Sequence, residues 1–80
     1  MTPATAAKQI ATGLSNATYD VVLLLQQAAS DVVRYEAFAA DAADEGDDEL
    51  ASWLRELADA DREIVTRASR ILRRRLPDAS

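Results

Sequence analysis

Cysteine and histidine are both missing from these 80 residues. Without cysteine there is neither a disulfide framework nor a thiolate metal site. Without histidine the commonest general base and the commonest transition-metal ligand are gone as well. Glycine and proline occur twice each, with Pro3 and Pro77 near the ends, so only the neighbourhood of Gly46 interrupts a helical pattern. Aromatic residues are few, and the apolar run Val21 to Leu25 is far shorter than the ~20 residues that span a bilayer. The N-terminal stretch holds one lysine, Lys8, and no apolar h-region. No signal peptide is therefore expected, and the expected location is cytoplasmic.

What the chain does have is alanine, acid and helical periodicity. Hydrophobic residues make up 49% of it, but much of that share is alanine, a strong helix former and a poor core filler. The net charge of −5 argues against a nucleic-acid binder, which is normally basic. Eighty residues allow one domain, and a domain this small hides little surface by itself. With no disulfide or metal staple in prospect, oligomerisation is the remaining way to stabilise it.

Residues 1–15 are small and polar and read as a flexible arm, with a short helical turn expected through Lys8 to Ala11. Asn16 or Thr18 is placed to cap the helix that follows, with Asp20 in its first turn. That helix is expected from about Thr18 to Asp44. Its apolar residues recur at three- and four-residue spacing from Val21 to Ala42, and they cover more than one stripe. So wide an apolar surface calls for neighbours on two sides, and a hairpin supplies one. Asp44-Glu45-Gly46-Asp47-Asp48 reads as the turn, with Gly46 as a left-handed cap and Asp47 capping the next helix.

The second helix is expected from about Asp48 to Leu76. Its apolar residues Leu50, Trp53, Leu54, Leu57, Ile64, Ala68, Ile71 and Leu72 are expected to be buried on one face. Asp48 and Glu49 open it, and Arg70, Arg73, Arg74 and Arg75 close it, matching the helix dipole at both ends. The expected domain is thus an antiparallel hairpin over residues 16–77 with a short tail at 78–80.

The segment Tyr35-Glu36-x-Phe38-Ala39-x-x-Ala42-x-x-Glu45-Gly46 is followed by Glu49-Leu50-Ala51-x-x-Leu54-Arg55-Glu56-x-Ala58-x-x-Asp61-Arg62-Glu63. This pattern resembles the first helical hairpin of rubrerythrin-like and other ferritin-like proteins. The resemblance implies half of a four-helix bundle, completed by a second copy of the chain. That family holds two irons with a glutamate on the first helix and Glu-x-x-His on the second. Here the first falls near Ala28 and the second on Asp61-Arg62-Glu63-Ile64. The resemblance therefore implies the fold without the family's metal chemistry.

No catalytic, cofactor or metal residue is assigned. No serine, threonine or carboxylate has the neighbours of an activated nucleophile, and there is no glycine-rich phosphate loop. Asp61 sits in the apolar stripe of the second helix and is expected to pair with Arg34 or with an arginine across an interface. The acidic turn lacks the spacing of a calcium loop.

The leading expectation is a non-enzymatic scaffold or interaction module acting as a homodimer. Its interface is expected on Val21, Leu24, Leu25, Ala28, Val32 and Tyr35. Its orientation would be set by the acidic turn (Asp44, Glu45, Asp47, Asp48) lying beside the partner's basic open end (Arg70, Arg73, Arg74). One alternative is a subunit or adaptor that docks on a different protein. Another is a carboxylate metal binder using Asp31, Glu36, Asp61 and Glu63. Neither nucleic acid nor membrane is expected as a partner.

Overall fold

The computed structural model describes residues 14–76. Two helices account for nearly all of them: α1 over Asn16–Asp44 and α2 over Asp48–Arg75, folded back on each other as an antiparallel hairpin. The described residues are all-α, as expected. Of the arm over residues 1–15 only Leu14 and Ser15 are described; its turn at Lys8 to Ala11 and the tail at 78–80 lie outside the described residues.

α1 begins two residues earlier than its apolar pattern suggests, because Ser15 is the cap. Its backbone is extended, and its Oγ accepts the Thr18 N–H at 3.1 Å while donating to Thr18 Oγ1 at 2.9 Å. Asn16 and Thr18, the two expected caps, are instead helical. With the start moved back, Asp20 falls beyond the first turn, which carries no acidic residue. Thr18 is buried, and Arg75 Nη1 at the far end of α2 donates to its hydroxyl at 3.4 Å, tying the open end of the hairpin.

The turn follows the expected chemistry. Gly46 adopts φ +79°, the left-handed conformation that a Cβ disfavours. Its N–H donates to the Ala43 carbonyl at 3.0 Å, and the Asp47 N–H donates to the Ala42 carbonyl at 2.9 Å. These two bonds form a Schellman motif that satisfies the end of α1. Asp47 then caps α2, its carboxylate accepting the Leu50 N–H at 3.0 Å. Asp48 and Glu49 in the first turn and Arg73, Arg74 and Arg75 in the last complement the dipole of α2.

The seam between the helices is a heptad pattern. On α1 it runs Thr18, Val21, Leu25, Ala28, Val32, Tyr35, Ala39, Ala42; on α2 it runs Ala51, Leu54, Ala58, Asp61, Val65, Ala68, Leu72. Steps of three and four alternate throughout, and every one of these residues is buried or half-buried. Ala39, Ala42, Ala51 and Leu54 form a buried cluster next to the turn, with Leu57 packed against it. Six of the eight buried apolar residues are alanine, and no large side chain among the described residues is fully covered. The small side chains let the helices approach closely, but they bury little surface.

Candidate helical docking surface

A hairpin seam has two flanks, and in this molecule they differ in kind. On one flank Glu36 of α1 and Arg55, Asp59 and Arg62 of α2 line a shallow cleft. Arg62 bridges the helices by an ion pair with Glu36 and also bonds Asp59 at 2.7 Å. All of these polar groups remain exposed.

The opposite flank takes the heptad positions on the other side of the seam. They are Leu24, Asp31 and Phe38 on α1, and Leu50, Leu57, Ile64 and Ile71 on α2. Trp53 borders the same flank near the turn, where it shares a cleft with Leu50, Asp47 and Glu49. Leu24 is 52% exposed and Trp53 54%, and Phe38, Leu50 and Ile64 are exposed too. Adjoining large apolar groups open to water on one side of a small hairpin make this flank the candidate docking surface.

This corrects the sequence expectation for α2. Leu50, Trp53 and Ile64 were expected to be buried with the rest of their face, and all three stand exposed. Phe38 on α1 is exposed as well. The physical reason is that alanine occupies the α2 seam at Ala51, Ala58 and Ala68, so the bulkier residues flank the seam. Hydropathy gives those bulky residues the greater weight. The missed signal was the three–four spacing of the whole seam, in which Ala51, Ala58 and Ala68 alternate with Leu54, Asp61, Val65 and Leu72.

The six residues expected at an interface divide along the same line. Val21, Leu25, Ala28, Val32 and Tyr35 fall in the seam, and Ala28 is already 3% exposed within the hairpin. Leu24 alone of the six stands on the open apolar flank. The charged groups expected to set orientation are all exposed: Asp44, Glu45, Asp47 and Asp48 at the turn, and Arg70, Arg73 and Arg74 at the open end.

The acidic residues do not converge. Asp31 lies on the apolar flank, its side chain 18% exposed and bonded to Arg34 at 3.3 Å. Glu36 lies on the polar flank with Arg62, and Glu63 is exposed. Asp61 is half-buried in the seam; Arg34, its expected partner, pairs with Asp31 instead, and among the described residues no ion pair reaches it. No group of three acidic residues among those described is arranged to hold a metal ion. Nor is any described helix long and apolar enough to cross a membrane.

Fold and surface together define a helical hairpin with a row of large apolar groups along one flank; Val33, 69% exposed, lies outside that row. Comparison of the chain with protein-family models, with curated proteins and with solved structures gives no match.

Proposed function

We propose that this protein is a non-enzymatic interaction module that works as a homodimer, two hairpins pairing to complete a four-helix bundle of the ferritin-like kind. The observation that carries the reading is the mismatch between interior and flank. The hairpin buries mainly alanine, while leucine, isoleucine, phenylalanine and tryptophan stand exposed along one side. Covering that side with a second hairpin gives the bundle its missing large side chains. The sequence also supports a non-catalytic role, since it carries neither histidine nor cysteine.

Light scattering on the purified chain tests this directly. The expected mass is twice the chain's 8.7 kDa, with one cooperative melt and no response to ferrous iron. A monodisperse monomer with a cooperative melt would overturn the dimer.

The second reading is an adaptor whose flank docks on a different protein, and the same exposed residues favour it. A chain of that kind, purified alone, is heterogeneous or melts without cooperativity, and folds when its partner is added. Assembly that depends on iron would instead support the carboxylate metal binder.

A further inference from the structure

We propose that the occupant of the apolar flank is a second copy lying antiparallel on it, α1 against α1 and α2 against α2, with Leu50 meeting the partner's Ile71 and Leu57 the partner's Ile64. This rests on the homodimer reading and adds the face, the direction and the register.

The first argument is the spacing of the flank. On α2 the residues Leu50, Leu57, Ile64 and Ile71 are evenly spaced about a centre between Ala60 and Asp61. On α1, Leu24 and Phe38 are evenly spaced about Asp31. Within the hairpin Arg75 reaches Thr18 and Ala51 clusters with Ala42, which sets Asp31 level with the neighbourhood of Arg62. The two centres therefore lie within about two residues, roughly 3 Å along the helix axis. A single two-fold axis through that level serves both helices. Each apolar residue then meets another apolar residue. Asp31 meets its own copy at the axis, where Arg34 already supplies the opposite charge.

The second argument is charge. One cleft near the turn is lined by Asp47, Glu49, Leu50 and Trp53. Another near the open end is lined by Arg67, Arg70, Ile71 and Arg74. Reversal about the α2 centre lays the first on the second. Asp47 comes level with the partner's Arg74, and Glu49 lies near the partner's Arg70. Trp53 comes beside the partner's Arg67, placing a guanidinium within reach of an indole face. A parallel pairing would bring acidic turn against acidic turn and arginine against arginine. Opposite charges at the two ends thus select the antiparallel arrangement.

The third argument is area. A helix of 28 residues is about 42 Å long, and two helices side by side are about 20 Å wide, a strip of roughly 800 Å². That matches one partner's share of a standard interface, about 800 Å².

Because the chain has no cysteine, single substitutions give unambiguous cross-links. Full-length Leu50→Cys and Ile71→Cys chains would be mixed, treated with a short bismaleimide, and read by intact mass beside light scattering of the same sample. The expected result is a mixed Leu50→Cys–Ile71→Cys dimer well above either self-linked species. Strong self-linking of Leu50→Cys alone would overturn the antiparallel direction. A dimeric mass without any cross-link would overturn the face while leaving the homodimer intact. A monomeric mass would overturn the homodimer reading, and this proposal with it.

Discussion

Asp47 does two things at one position: its N–H closes the end of α1 and its carboxylate opens α2. Replacing it with alanine keeps the first bond and removes the second. The expected cost is about 1 kcal/mol, read as a lowered urea midpoint. Arg62→Ala serves as the contrast in the same measurement. The Glu36–Arg62 bridge looks more prominent because it joins the two helices, yet both side chains are about half exposed. Water screens such a pair, so its loss should cost roughly 0–1 kcal/mol. The cap should outrank the bridge. The limits of the turn were legible in the sequence for the same reason: Gly46 and Asp47 act through their nearest neighbours, and local signals survive without knowledge of the fold. Ser15 was missed as a cap because it precedes the apolar pattern by several residues. Its bonds to Thr18 and the Tyr19 N–H on its carbonyl mark where α1 starts.

At the scale of the element, the helices were readable and their contact was not. The limits of α2 and the end of α1 followed from caps and periodicity, whereas the side of each helix that meets the other depended on alanines. A stripe built on Ala28, Ala39, Ala51, Ala58 and Ala68 is faint on any scale that weights large apolar groups. It is nevertheless what fits between two closely spaced backbones. Ala58, fully covered, gives the sharpest test of that fit. Ala58→Leu adds apolar volume in the middle of the seam and should destabilise by about 1–3 kcal/mol in thermal or urea unfolding. If the seam were loose, the added leucine would stabilise the protein. The same faintness explains why the expected interface residues did not separate the seam from the open flank. Five of the six expected positions (Val21, Leu25, Ala28, Val32 and Tyr35) lie in the hairpin's own seam, and Leu24 lies on the open flank.

For the whole molecule, charge follows the long axis: acid gathers at the turn and arginine at the open end. In an antiparallel pair each end faces its opposite, so association should weaken as salt screens the attraction. Raising sodium chloride from low concentration to 0.3 M, as a choice of conditions, shortens the screening length below the ~10 Å found at 0.1 M. The dissociation constant from sedimentation should then rise severalfold. An adaptor docked through its apolar flank alone would show little change.

If the hairpins pair as proposed, the turn at Gly46 also governs how far assembly can extend. Nine positions separate Ala42 from Ala51, about two and a half turns of an unbroken helix. In a straightened chain those two alanines would point to opposite sides of a single rod, and the stripes of α1 and α2 would no longer face one common neighbour. Rods of that kind recruit one copy on each side and keep growing, as head-to-tail contacts do when no rotation closes them. By reversing the chain within three residues, the left-handed glycine brings both stripes to the same seam and leaves one flank open. In the proposed dimer, growth would then stop at a closed pair instead of continuing into a fibre.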